Sequence, residues 1–232
     1  MLNIYVYVMF KKGGKELTVV PRKASTVVLM DQDLKTYLTK RPLTMKFFGG
    51  HYVFPGGAIE QSDLDISNEY MKGQNLNPTF EKPHYVAAAR ELFEEVGILI
   101  SDDLSNLPHD KINEYRQLLK NKEISFLQML IQKDITINLD RLRYFGHRVT
   151  SKGRPIRFDT RFFLTQLPKG QTPLPDFSEI DEARWYTPKE ALTAHENEEI
   201  ALPLPTILAL NSIIDHLEGK PLILPGRKPE SN

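Results

Sequence analysis

Ala87-Ala-Ala-Arg-Glu-Leu-Phe-Glu-Glu-Val-Gly97 is the stretch on which the fold turns. Its apolar residues recur at helical spacing, and Gly97 supplies a stop because glycine takes the left-handed C′ position and Ile98 closes over it. The helix is read over Pro83 to Val96. Glu91 and Glu95 stand four apart and Glu91 and Glu94 three apart, so three carboxylates share a face near the negative end of the helix dipole. Each like-charge pair costs roughly 0.2–0.5 kcal/mol, and each charge against the dipole costs roughly 0.3–1 kcal/mol. An offset is therefore expected, from a divalent cation or from an arginine. Arg90 is placed to meet Glu94 at i+4, which leaves Glu91 and Glu95 as an oxygen pair suited to a hard ion such as Mg²⁺. Taken alone, the same pattern also describes a solvated acidic face.

The segment ahead of the helix changes that balance. Phe54-Pro-Gly-Gly-Ala-Ile-Glu-Gln-Ser-Asp63 puts two glycines after a proline, where backbone approaches a neighbour closely, and an acid six positions after Gly57. The glycine turn, that acid and the run from Arg90 to Ile98 together resemble the Nudix hydrolase signature. In that family the pattern is glycine, five residues, glutamate, seven residues, then Arg-Glu-apolar-x-Glu-Glu-x-Gly-apolar. The second half is matched here at every fixed position. Asp63 stands where the family has glutamate, and an inserted loop, about 64–82, separates it from Arg90. A shortened acid followed by an insertion is similar to the branch of peroxisomal coenzyme A diphosphatases. Arg157-Phe-Asp-Thr-Arg-Phe-Phe-Leu164, Arg184-Trp-Tyr-Thr-Pro188 and Pro203-Leu-Pro-Thr206 support the same branch.

Working outward, apolar β-branched runs at 25–30, 143–149 and 161–166 read as strands, with shorter extended pieces at 35–39, 52–54 and 184–187. Helical spacing recurs at 109–132 and 206–217. Mixed strands and helices along one chain, without repeats, imply an α/β domain. The resemblance implies a Nudix α/β/α sandwich with a mixed sheet, spanning 24–218 and carrying insertions at about 64–82 and 105–135. Residues 1–23 form an N-terminal extension, read as a hairpin around Lys12-Gly-Gly-Lys15, and 219–232 a C-terminal tail. The helical insertion either shapes one side of the cleft or forms the surface of a homodimer.

Composition narrows the chemistry. Thirty Lys plus Arg balance thirty Asp plus Glu among 232 residues, so no overall field draws the chain to nucleic acid or anionic lipid. An anionic ligand must be held locally. Cysteine is absent, which removes disulfide scaffolds, thiolate zinc sites, Cys nucleophiles and thiol redox chemistry, and with them isomerase chemistry that relies on a cysteine. No apolar run reaches the ~20 residues that cross a bilayer, and Lys11 and Lys12 follow rather than precede the apolar stretch 4–10, unlike a secretory signal. The expectation is a cytoplasmic protein with no membrane and no nucleic-acid partner. The six histidines show no paired metal spacing and read as structural or surface residues.

The resemblance implies a Mg²⁺-dependent pyrophosphohydrolase, with Mn²⁺ as the alternative ion. It places Glu91, Glu95 and Glu94 as metal-binding acids and Arg90 and Glu94 in the catalytic set, with Gly56 and Gly57 beside the substrate and Asp63 and Gly97 as further motif positions. Glu179, six residues before Trp185, resembles the glutamate outside the signature that serves several Nudix enzymes as general base, with Glu182 as the fallback. Ahead of the glycine turn, Tyr37-Leu-Thr-Lys-Arg-Pro42, Lys46, Gly50 and Phe54-Pro-Gly-Gly57 keep the spacing of a pattern found in coenzyme A-hydrolysing members. Tyr37, Pro42 and Lys46 replace its usual residues. Arg41 and Lys46 are the expected substrate-binding cations, Arg41 reading the 3′-phosphate. The expected reaction is cleavage of coenzyme A or acyl-CoA to 3′,5′-ADP and (acyl-)4′-phosphopantetheine. The alternatives are a diphosphatase for ADP-ribose, NADH or another nucleoside diphosphate derivative, and a non-catalytic nucleotide-binding module.

Overall fold

The computed structural model describes residues 19–105 and 107–226. The expected hairpin lies, but for its last two positions, outside the described residues. In chain order the elements are β1 (Arg22–Met30), β2 (Thr36–Lys40), β3 (Tyr52–Val53), β4 (Gly56–Ala58), β5 (Met71–Lys72), α1 (Pro83–Val96), α2 (Ile112–Lys120) and α3 (Phe126–Lys133). They continue with β6 (Ile137–Asn138), β7 (Arg143–Val149), β8 (Phe158–Gln166), β9 (Glu182–Tyr186), α4 (Pro188–Glu196) and α5 (Leu204–Leu217).

β1 and β8 form the parallel centre of a mixed sheet, in register from Arg22 opposite Phe158 to Met30 opposite Gln166, and β7 adds antiparallel to β8. The other edge of β1 is divided. β4 pairs with its first half, Ser25 opposite Gly57, and β2 meets its end at Met30. β2 then carries β3 and β9. Residues alternate across β1: Val27 and Leu29 face the α1 side, while Val28 and Met30 face α4 and α5. Both faces of the central strands are covered, which explains why they read as continuous apolar runs. The result is the expected α/β/α sandwich. Phe162 and Phe163 point into opposite halves of the core.

Strand and helix ends shift by a few residues from the sequence reading, and three larger differences bear on the architecture. The stretch 109–132 is two helices, because Lys122 takes a positive φ of 59° and Ser125 starts α3 with a reciprocal cap, its hydroxyl accepting from the Gln128 N–H. α4 is a further helix, opened by Thr187 as N-cap with Pro188 and Glu190 behind it. The tail is partly structural: Leu222 and Leu224 are buried, and the Leu224 N–H donates to the Phe145 carbonyl at 2.7 Å on β7.

The loop that interrupts the signature is tied down. Met71 is fully buried and β5 pairs in parallel with β6. Lys82 Nζ donates to the Met71 carbonyl at 3.0 Å, and the Asn77 N–H donates to Tyr85 Oη at 2.9 Å. These anchors return the chain to α1 and leave Asp63 beside it.

Candidate active site

α1 packs against β1 and β4, and its Ala87, Ala88 and Ala89 are buried. Gly57 on β4 then faces the acidic side of α1. A Cβ at Gly57 would stand 2.2 Å from Glu91 Oε1, so glycine is what admits the carboxylate there. A Cβ at Gly56 would meet the Ser25 carbonyl at 2.3 Å, and the Gly56 N–H donates to Glu95 Oε2 at 3.3 Å.

Arg90 organises the acids. Nε and Nη2 grip the Asp63 carboxylate at 2.8 and 3.0 Å, Nη1 donates to Glu91 at 3.0 Å and Glu94 at 2.8 Å, and Nη2 also donates to the Ala58 carbonyl at 3.1 Å. All five N–H donors are engaged. The expected i+4 pair with Glu94 is present, but Glu91 is not free of the arginine. The side chains of Arg90 and Asp63 are 4% and 0% exposed, so Asp63, one carbon shorter than glutamate, still completes a buried bidentate pair.

Burial pushes the Glu91 carboxyl above its usual range; Arg90 opposes the shift, while Asp63 and Glu179 add to it. Burial pushes Glu95 well above that range, Glu91 adds to the rise and Arg41 opposes it, with a further contribution from Glu179. Burial also raises Glu94 to about 7, against the pull of Arg90. Burial works against the charge on Arg90, yet Glu91, Asp63 and Glu94 hold its pKa above the ordinary arginine value.

Crowded, part-neutralised carboxylates with hard oxygen donors fit a divalent cation. Among the described residues no three His, Cys, Asp or Glu side chains converge into a ready cage, because Arg90 holds Glu94 and one oxygen of Glu91. That arrangement suits Mg²⁺, which takes one or two carboxylates and completes its shell with water and substrate phosphate.

Arg41 follows β2 and acts electrostatically on Glu95. Its Nε is buried without a hydrogen-bond partner, alone in this among the side-chain atoms of the described residues. A native protein seldom leaves such a donor unmatched, and an anionic ligand would match it. Lys46 is exposed on the loop that follows, away from the acids' hydrogen-bond network. Glu179 lies on the segment between β8 and β9, close enough to raise the pKa of both Glu91 and Glu95. Both candidates for a base are paired, Glu182 with the Tyr52 hydroxyl at 2.5 Å and Arg184, Glu179 with Lys120 at 3.1 Å, and of the two only Glu179 acts on Glu91 and Glu95. Buried His84 lies within hydrogen-bonding distance of Ser25 Oγ and the Ala24 carbonyl through Nδ1, at 3.3 Å in each case, as a structural histidine should.

Two residues absent from the sequence reading bear on the site. Arg116 and Lys120 on α2 reach the end of α1 and the Glu179 segment. A signal existed for the first: Ile112, Arg116 and Leu119 are the buried stripe of α2, with a guanidinium where an apolar side chain belongs.

A family model, the NUDT19 Nudix domain, matches residues 81–213 of 232, more than half of the chain, and the chain belongs to the Nudix hydrolase family. It is similar to the acyl-coenzyme A diphosphatase NUDT19 of Xenopus laevis, 26% identical over 227 residues that cover 78% of this chain and 60% of that protein. The putative nudix hydrolase 7 of Caenorhabditis elegans is 28% identical over 203 residues, covering 83% of this chain and 60% of its own. The chain thus spans about 60% of the length of these curated relatives. Among solved structures, a NUDIX hydrolase from Alicyclobacillus acidocaldarius superposes with a TM-score of 0.71 at 26% identity, covering 89% of this chain and 99% of the other. Among the described residues no helix is long and apolar enough to cross a membrane.

Proposed function

We propose that the protein is a Mg²⁺-dependent pyrophosphohydrolase that cleaves the diphosphate of coenzyme A or acyl-CoA to 3′,5′-ADP and (acyl-)4′-phosphopantetheine. The observation that carries this reading is the half-buried cluster of Glu91, Glu94 and Glu95 on α1, set against the Gly56-Gly57 turn through Glu91 and Glu95, with Arg41 and its unmatched Nε in electrostatic reach of Glu95. The substrate class rests on the intact spacing of the pattern from Tyr37 to Gly57 and on the activity for which the Xenopus relative is named.

Glu91 and Glu95, with Glu94 nearby, would hold Mg²⁺ or Mn²⁺, which supplies neutralisation of diphosphate oxygens and a more acidic bound water. Arg90 orients Glu91 and Glu94 and favours their ionised forms against the effect of burial. It has no donor left for substrate, so its part is positioning. Glu179 accepts the proton of the attacking water as general base. Arg41 takes an oxygen of the diphosphate through its unmatched Nε. That assignment departs from a 3′-phosphate role, since Arg41 is in electrostatic reach of Glu95; the 3′-phosphate falls to exposed Lys46.

The test is the purified chain with Mg²⁺ against coenzyme A, dephospho-coenzyme A, ADP-ribose, NADH and diadenosine polyphosphates, with products identified by mass. Coenzyme A should be preferred and should yield 3′,5′-ADP. Preference for ADP-ribose or NADH would discard the coenzyme A assignment; no turnover at all would favour a binding module. In the same assay Arg41→Ala should raise KM about tenfold or more for coenzyme A and dephospho-coenzyme A alike, from ~1.5–3 kcal/mol for a charge-assisted hydrogen bond. A selective loss on coenzyme A would return Arg41 to the 3′-phosphate.

A further inference from the structure

An α-helix ends with carbonyls that no N–H of its own can reach, and a buried end must find partners elsewhere. At the end of α1 each one is accounted for. The Gly97 N–H donates to the Phe93 carbonyl at 2.8 Å and the Ile98 N–H to that of Leu92 at 3.4 Å. The next two carbonyls belong to the acids themselves and are taken by one side chain from the helical insertion. Arg116 Nε donates to the Glu94 carbonyl and Nη2 to the Glu95 carbonyl, both at 2.8 Å.

The same guanidinium reaches a second segment. Arg116 Nη1 donates to the Leu174 carbonyl at 2.7 Å and to Asn113 Oδ1 at 3.1 Å. From that segment the Leu174 N–H returns a bond to the Val96 carbonyl at 2.8 Å, and the Asp176 N–H shares the Glu95 carbonyl at 2.9 Å. Arg116 is 2% exposed. Burial lowers its pKa, against Asp176, Glu179, Glu95 and Glu94, but a guanidinium starts so high that it stays charged.

One turn further along α2, Lys120 directs its three ammonium donors to the same segment. They meet Asp176 Oδ2 at 2.6 Å, Ser178 Oγ at 2.7 Å and Glu179 Oε1 at 3.1 Å. Asp176 also closes a local turn by accepting from the Ser178 N–H at 3.0 Å, and Ile180 is buried directly after Glu179. Glu179 therefore stands on a segment fixed on both sides. The backbone that bears Glu95 and the segment that leads to Glu179 are joined by two backbone hydrogen bonds and, between side chain and backbone, by the Arg116 fork.

We propose that the helical insertion is a positioning clamp for hydrolysis, in which Arg116 and Lys120 set the separation between the Glu95 carboxylate and Glu179. This rests on the reading of the site as a diphosphate hydrolase. A lysine at 116 keeps the charge but not the planar fork that binds two successive helix carbonyls and a loop carbonyl together. Sub-ångström slack between metal-binding acid and base is enough to be costly, since a misplacement of 1 Å lowers rates by about 100-fold.

The test measures kcat, KM and melting temperature for Arg116→Lys, Lys120→Met and Lys120→Arg, each in the native background and with Glu179→Gln, using the best substrate and Mg²⁺. Arg116→Lys should lower kcat by about 100-fold with KM nearly unchanged, in line with the cost of a 1 Å misplacement. Lys120→Met should lower kcat by about tenfold and Lys120→Arg should recover most of it, because a charge-assisted bond to Glu179 is kept. With Glu179→Gln the Arg116 and Lys120 changes should each cost less than about threefold, since residues acting as a unit are not additive. Unchanged kcat in Arg116→Lys and Lys120→Met, or equal losses with and without Glu179, would overturn the clamp. If Arg116→Lys does not fold, the Lys120 pair carries the same comparison. A native chain without diphosphatase activity, or Glu179→Gln at the native rate, would instead remove the reading of the site and this inference with it.

Discussion

Glu95→Gln should lower kcat by at least about 10³-fold while melting at or above the native temperature. The first half follows from charge. The amide keeps the shape of the side chain and can still accept the Gly56 N–H, but it removes the negative charge that Glu95 would offer to Mg²⁺. Transition-state stabilisation by such a metal is worth several kcal/mol, and about 4 kcal/mol corresponds to roughly three orders of magnitude in rate.

The second half follows from the direction of the Glu95 shift. A carboxyl whose folded pKa lies above its unfolded value stabilises the fold fully only below the unfolded value, and that contribution is lost as pH rises through the folded one. Burial and Glu91 raise Glu95 in this way, and burial raises Glu94 to about 7 from 4.5. Metal-free native protein should therefore lose stability between about pH 4.5 and 7. Glu95→Gln should lose less over that window. Mg²⁺ should raise the native melting temperature more at pH 8 than at pH 5, where bound protons compete with the ion. Thermal melts with and without Mg²⁺ at the two pH values check this without any substrate. Full activity in Glu95→Gln, or an identical pH slope in the two proteins, would remove Glu95 from the metal site.

The parts legible in the sequence were those that announce themselves locally. α1 has Pro83 at its start, Gly97 at its stop and fourteen residues of periodicity between, so its bounds matched. The second half of β1 and the core of β8 carry the apolar runs Val27–Met30 and Phe162–Leu164. α4 is equally announced, since Thr187 and Glu190 form a capping box with proline in the first turn, but its nine residues are too few for helical spacing to stand out. β5 and β6 have two residues each, too few for any period to show. They matter because they return the inserted loop and leave Asp63 against Arg90, a pairing 27 positions apart that nothing in the local sequence announces. Arg116 required tertiary structure: a charge in the apolar stripe of α2 marks an oddity, but nothing local says that its fork meets the carbonyls of Glu94 and Glu95. The dipole argument anticipated an arginine near the acids. Two hydrogen-bond to them, Arg90 on the side chains of Glu91 and Glu94 and Arg116 on the carbonyls of Glu94 and Glu95.

The largest effect on stability is expected from Arg90→Met. Breaking a buried ion pair by removing one partner costs about 3–5 kcal/mol because the other charge stays buried without compensation. Here a single guanidinium serves Asp63, whose side chain is 0% exposed, together with Glu91 and Glu94, each 14% exposed. Methionine fills much of the same volume, so the loss is electrostatic rather than a cavity. For a chain of this size each kcal/mol moves the melting temperature by about 2–4 °C, which predicts a fall of roughly 10 °C. Pairing the change with Asp63→Leu should recover part of that fall, since a buried ion pair replaced by apolar side chains is often neutral in stability. Activity should stay low in the double variant, because Glu91 and Glu94 still lack the donor that orients them. A melt within about 2 °C of native for Arg90→Met would mean less than about 1 kcal/mol, and would deny Arg90 its place as the organising charge of the site. Recovery of turnover along with stability in the double variant would show instead that Glu91 and Glu94 find their geometry without it.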